Sequence, residues 1–486
     1  MSDSQDLESL GYTQELWRRM SAFSNLAISF SIICILAGGI TSFHQGLSSV
    51  GGAAFGLGWP LVCLFSLVVA ASMGQVASSF PTAGGIYHWA SILGGRGWGW
   101  TAAWLNLLGL VSALAAVNLG CYLFALEFLG GPLGLDVAAW SEPFRLACQW
   151  IVVAAITGTQ AWVNHRSVRI ATRLIDFSGY WILLVSLVLT VGALALAPSW
   201  EWGRLVEFRN YSGARGGGVW PETSSVWWLF ALSFLLPAYT VTGFDASAHA
   251  AEETVGAAHN VPRGIVRSVL LSAVAGWIML SAIVVGVGDL DAAAASGSGS
   301  FQWILSTQFP APMYAGLSAA IVLAQYLCGM ACLMSASRMV YAFARDGGMP
   351  LSGRLRVVCS THRVPVAAIW TVAVSAVGLT LYAPVYSTVA AVCAAFLYLS
   401  YAIPIGLGLF AHGRGWTRMG PWHLGAWYRP CAAVAVLGCV GLIIIGVQPP
   451  NEKAAVILGG SAAMLVVGWW IVERRRFKGP PALRQV

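Results

Sequence analysis

Apolar runs of membrane length recur from end to end of this chain, separated by short polar stretches. A membrane-spanning helix needs about 20 mostly apolar residues. That length predicts twelve segments, near 21–46, 54–79, 98–128, 145–163, 174–197, 225–250, 264–287, 311–343, 364–382, 384–411, 430–448 and 454–473. Nothing outside them is long enough for a soluble domain. The pattern predicts an all-α integral membrane protein with a 1–20 N-terminal tail, one transmembrane domain over 21–474 and a basic 475–486 tail.

Two segments are interrupted. The sixth contains Pro237, Gly243 and Asp245 within one apolar run, and the first carries adjacent glycines, Gly38 and Gly39, at its middle. Hydrocarbon tolerates broken backbone and a buried acid only where protein or a water-filled cavity shields them. Breaks at positions one and six predict two five-helix repeats, 21–197 and 225–411, followed by helices eleven and twelve over 430–474. With five spans each, the repeats are inverted relative to one another. Discontinuous helices of this kind hold the substrate in many secondary transporters. Packing between helices is the competing use of such glycines.

Composition agrees with the pattern: 58% of residues are hydrophobic, 9% charged, and mean hydropathy is +0.73. Soluble domains carry roughly 25% charged residues. The formal charge of +7 raises the question of nucleic acid, but the placement of the charge answers it. With the N-terminus inside, 21 of the 26 Lys and Arg residues fall on the cytoplasmic side and 5 on the other. This is the positive-inside bias, so both termini are expected in the cytoplasm. No cleavable signal peptide is evident. The ten cysteines show no disulfide or metal spacing, and no glycine-rich phosphate loop or catalytic cluster is present. No metal site, cofactor or enzymatic activity is expected. Tryptophans near segment ends, such as Trp98, Trp227 and Trp470, read as an interfacial belt against membrane lipids. Residues 291–300 read as a flexible loop.

Several stretches resemble the amino acid–polyamine–organocation superfamily, and within it the amino acid/choline transporter branch that includes GABA permeases. They are Ile28–Ile33, the turn Pro81-Thr82-Ala83-Gly84-Gly85-Ile86-Tyr87, Tyr239–His249 with Glu252-Glu253-Thr254, Pro262–Ile265, and Ser337–Pro350. The resemblance implies a LeuT-like fold and alternating access around helices one and six. The cargo would be an amino acid or a related amine such as GABA. It also implies the plasma membrane as location and protons as coupling partners. Exchange, choline or polyamine transport, and nutrient sensing without transport stay open.

On this resemblance Ala37-Gly38-Gly39 occupies the unwound stretch of helix one, where the family often has Gly-Ser-Gly. Free N–H groups at Gly38, Gly39 and Ile40 would suit a carboxylate, since a helix N-terminus carries about half a positive charge. The carbonyls of Ile35 and Leu36, with Ala238, Tyr239 and Val241 of helix six beside Gly243, would receive an ammonium group. Asp245 matches an acid that serves coupling in related antiporters, and His249, four residues on, shares its helical face and is the candidate proton relay. Glu252 and Glu253 are expected near Arg263 and Arg267, and Asp176 as a cap on helix five. Ser335 and Ser337 are candidate sodium oxygens. Asn106 and Asn118 are expected along the path, with Phe396, Tyr398 and Tyr401 closing the outer side.

Overall fold

The computed structural model describes residues 7–481. The outermost parts of the two expected tails, 1–6 and 482–486, lie outside the described residues. Among those described there is no β-strand, only isolated bridges at Met20–Thr254 and His412–Trp416. Ten helices are long and apolar enough to cross a membrane, and two shorter apolar ones, Val226–Thr240 and Val366–Tyr382, fill the remaining expected positions.

In chain order the elements are α1 (Ala22–Ile32), α2 (Phe43–Val50), α3 (Trp59–Ser79), α4 (Ile86–Gly94), α5 (Arg96–Gly130), α6 (Glu142–Arg166) and α7 (Val168–Ala195). Then come α8 (Val226–Ser233), α9 (Leu235–Thr240), α10 (Ala246–His249), α11 (Ala257–Gly286), α12 (Leu290–Ala295), α13 (Ser300–Gln308) and α14 (Ala311–Arg345). A short α15 (Ser352–Leu355) precedes α16 (Val366–Tyr382), α17 (Tyr386–Ala411), α18 (Tyr428–Gly446) and α19 (Glu452–Gly468). The long α5 sits at the centre between α14 and α17. The interrupted helices pack on this side of the core, and α19 lies at the periphery, mostly exposed.

Both interruptions exist, displaced from where the sequence pattern puts them. In the first, α1 ends at Ile32, Cys34 leaves the helical region (φ −49°, ψ 102°), and Ile35–Gly39 form one wide turn before α2. The adjacent glycines therefore follow the break. Gly38 allows close approach: a Cβ there would stand 2.8 Å from the Cα of Thr240. In the second, Pro237 lies inside α9. Its ring opposes the carbonyl four residues back and its nitrogen donates nothing, so the kink falls earlier, at Ser233–Phe234 between α8 and α9. The unwound stretch is Val241–Asp245, with Gly243 at φ +78°. Only glycine fits there, because a Cβ would run into Ile32 of α1.

Two local expectations change. The 291–300 stretch is ordered into α12, a tight turn and the start of α13. Asp289 caps α12 by accepting the Ala292 N–H at 2.9 Å, and the alanines that follow are strong helix formers. Asp176 does not cap its helix: α7 begins at Val168, capped by Ser167, and Asp176 instead accepts from Ser24 Oγ of α1 at 3.0 Å. After the Pro81–Tyr87 turn comes α4, a short helix too brief to register as a span.

Candidate functional site

Where the two interrupted helices meet α5, α14 and α17 there is a small central cavity of about 20 Å³. Of the residues expected to bind substrate, Ala37, Gly38, Tyr239 and Gly243 line it, joined by Ile32, Thr240, Thr242, Cys332 and Cys393. Ile35, Leu36, Gly39, Ala238 and Val241 pack around it, and Ile40 faces a separate, larger cavity. Two of the three N–H groups expected to be free are engaged: Gly38 donates to Cys34 O at 2.9 Å, and Ile40 to Ala37 O. Leu36 O accepts weakly from Gln325 Nε2 at 3.4 Å. A helix that breaks ahead of its glycines turns these amides back onto its own carbonyls.

Beneath the cavity lies the fully buried Asp245 carboxyl. Tyr401 OH donates to Oδ1 at 2.7 Å, Asn106 Nδ2 donates to Oδ2 at 2.7 Å, and His249 Nε2 stands 3.1 Å from Oδ2. Tyr401 also accepts the Gly243 N–H at 3.0 Å, which ties the carboxyl to the cavity wall. His249 Nδ1 faces Ala83 O at 3.2 Å, so the ring is held between a backbone carbonyl and the Asp245 carboxyl, and which nitrogen carries hydrogen decides whether it donates to one or to both.

Tyr401 was expected at an outer closure with Phe396 and Tyr398, and that expectation is corrected. Tyr398 OH reaches Val241 O at 3.4 Å and Ser66 Oγ at 3.3 Å, and Phe396 packs with Leu105 and Ala454. The aromatic above the cavity is Tyr386, edge-on to Tyr239 at 5.9 Å. Its position at the first turn of α17, well before Tyr398, hid it from the sequence reading. Asn118 is bonded to Thr157 and Gln160 between helices, away from Asp245. Ser337 Oγ donates to its own helix at Met334 O, 2.8 Å.

On the face that carries the N-terminal segment, a buried ionic layer closes the path. Glu252 takes Arg345 bidentately at 2.9 and 3.0 Å, and Glu253 takes Arg338 at 2.8 Å. Arg263 and Arg267, the expected partners, are exposed on α11 instead. Seven residues apart, and so two turns along one face of the long α14, Arg338 and Arg345 both point at the chain leaving α10. Ala83 N–H donates to Glu252 Oε1 at 3.2 Å. The expected tail is part of this layer from Leu7 onward. Leu7, Tyr12 and Leu16 are buried, and the Arg19 and Met20 N–H groups donate to Glu253 O. The Arg345 guanidinium lies 3.9 Å over the Tyr12 ring. Tyr12 OH donates to Asp346 Oδ2 at 2.6 Å, so it must accept from His88 Nε2 at 2.6 Å, and His88 Nδ1 accepts from Thr82. Burial, with the charge of Arg345, pushes the His88 imidazole down to about 3.

Interrupted apolar helices around a small, mostly apolar central cavity, with buried ion pairs on one face and aromatics on the other, define a membrane transporter rather than an enzyme. Comparison with known proteins agrees. The amino acid permease family model matches residues 20–472, and the chain belongs to that family. It is 32% identical over 464 residues to amino-acid permease BAT1 of Arabidopsis thaliana, covering 91% of this chain and 88% of that protein. The GABA-specific permease of Saccharomyces cerevisiae is 27% identical over 468 residues, covering 93% and 79%.

Proposed function

We propose that this permease carries a small amino acid, with GABA among the candidates, by alternating access around α1–α2 and α8–α10, and that Asp245 with His249 couples the movement to protons. The observation that carries this reading is the fully buried Asp245–His249 contact, 3.1 Å between Oδ2 and Nε2. It lies directly below the cavity and is linked to its wall through Tyr401 and Gly243. Ala37, Gly38, Tyr239 and Gly243 are the substrate contacts we favour, with Gly39, Ile40 and the Ile35 and Leu36 carbonyls joining when the cavity opens. Segments 21–197 and 225–411 act as inverted repeats, and rocking of one bundle against the other exposes the cavity to each face in turn. The membrane is the plasma membrane, and the terminal face is cytoplasmic, an orientation that the excess of Lys and Arg on that face supports.

The test is uptake into proteoliposomes of labelled GABA, glutamate, alanine, arginine and choline, with and without an inward proton gradient. The reading expects gradient-stimulated uptake that falls to the gradient-free level in Asp245→Asn. Uptake driven only by internal substrate, unaffected by that substitution, would make the protein an exchanger and remove Asp245 from coupling.

A further inference from the structure

The chain has a second cavity, far larger than the central one, whose chemistry the transport cycle described above does not use. It holds about 620 Å³ on the face opposite the N-terminal segment. Ile40 and Tyr386 form its floor, and Tyr386 in turn packs on Tyr239 of the central cavity. A volume of this size falls in the range of small-molecule sites, whereas 20 Å³ does not.

Its walls carry one charge of each sign, Glu127 from α5 and Arg145 from α6. Neither has an ion-pair partner within 4 Å among the described residues. The same cavity is lined by buried polar groups that have no hydrogen-bond partner among the described residues. Gln302 is 5% exposed, and neither Oε1 nor Nε2 has a partner; His44 is 9% exposed with Nδ1 unpartnered. A buried amide left without hydrogen bonds is costly, so a wall built this way is completed by a polar occupant. An inorganic anion would answer Arg145 and leave Glu127 exposed to it, and an amine such as choline would do the reverse.

We infer that this vestibule is a docking site for a zwitterionic amino acid, its carboxylate on Arg145, its ammonium on Glu127, and Gln302 bonding either end. The inference rests on the amino acid reading above and deepens it. The site holds cargo over the Tyr239–Tyr386 pair before the central cavity opens, and it selects zwitterions over amines of net charge. Arg145 and Glu127 are exposed and make no fold-supporting bonds, so their substitution leaves the protein intact.

The experiment uses the purified full-length protein and tritiated L-alanine, with Arg145→Gln, Glu127→Gln and Gln302→Leu beside the wild type. Equilibrium binding should saturate near two alanines per chain in the wild type and one in Arg145→Gln and Glu127→Gln. In proteoliposomes the alanine KM should rise about tenfold with kcat within twofold, the loss of one charge-assisted contact. Choline should compete poorly with alanine in the wild type and better in Arg145→Gln. Wild-type saturation at one alanine, with KM unchanged in all three variants, overturns the vestibule site while leaving the transport reading standing. If the wild type moves no amino acid yet alanine raises its Tm, and fails to raise that of Arg145→Gln, the docking site stands and the transport reading falls.

Discussion

The ionic layer on the terminal face should hold that face shut, and Glu252→Gln measures how firmly. Glu252 receives two bonds from Arg345 and one from the Ala83 N–H. Its carboxylate is fully buried, while the Arg345 side chain keeps 12% of its exposure. Breaking a buried ion pair by removing one partner costs about 3–5 kcal/mol. Glutamine keeps one acceptor oxygen, and Arg345 keeps its seat on the Tyr12 ring and some water. Both reduce the loss, to about 2 kcal/mol, equivalent to roughly a 30-fold change in the closed-to-open equilibrium. Hydrogen exchange reads that equilibrium directly, because local opening sets the exchange rate of protected amides. The reporters are Arg19 and Met20, whose N–H groups bond Glu253 O but not Glu252 itself. Peptides spanning them should exchange about 30-fold faster in Glu252→Gln, with α5 peptides unchanged. Exchange within threefold of wild type in a folded protein would falsify the claim that this pair closes the face.

Further outcomes follow from the same geometry. Gly38→Ala should abolish uptake, since its Cβ would meet Thr240 Cα at 2.8 Å, whereas Gly39→Ala, 3.7 Å from Leu280, should keep most activity; equal behaviour of the two would remove the close-approach argument. His88 is held neutral, its folded value about 3 against 6.5 unfolded. Its stabilising contribution is therefore full above about pH 6.5 and is lost as pH falls toward 3, by about 1.4 kcal/mol per unit. Proteolysis of residues 7–20 should accelerate from pH 7 to pH 5, and His88→Gln should flatten that dependence. Asp245→Asn should also abolish proton movement accompanying uptake, read with a pH-sensitive dye inside the vesicles.

Much of this architecture is legible in the sequence because membrane helices announce themselves by length and composition. The twelve apolar segments, the interruption of the first and sixth, and the pairing of Asp245 with His249 at i,i+4 are local properties. What escapes is long range. Nothing along the chain says that Asn106, Tyr401 and Ala83 converge on that pair across 139, 156 and 166 residues. Glu252 and Glu253 were matched with the nearest arginines in sequence, while α14 supplies the real ones from beyond position 330. The break in the first helix was placed at its glycines because glycine weakens helices; there its smallness serves contact with Thr240 instead. The packing of the tail was not legible either, since four buried side chains, Leu7, Tyr12, Leu16 and Met20, are spread through polar neighbours.

Ala83 has a methyl side chain with no chemistry of its own, yet its N–H holds Glu252 and its carbonyl holds His249. Two successive peptide planes, hinged at one Cα, therefore touch the Asp245–His249 pair on one side and the ionic layer on the other. Side-chain scanning is blind to such a residue: an alanine scan skips it by design, and larger replacements report only steric damage at a buried position. Its contribution becomes visible when the backbone itself is edited. An amide-to-ester exchange at the 82–83 linkage deletes the Ala83 N–H and weakens the Thr82 carbonyl, and one at the 83–84 linkage weakens the Ala83 carbonyl and deletes the Gly84 N–H, so the two exchanges separate the N–H and carbonyl roles of Ala83. A functional map of this permease drawn from side-chain variants would leave blank the residue where its two polar layers meet.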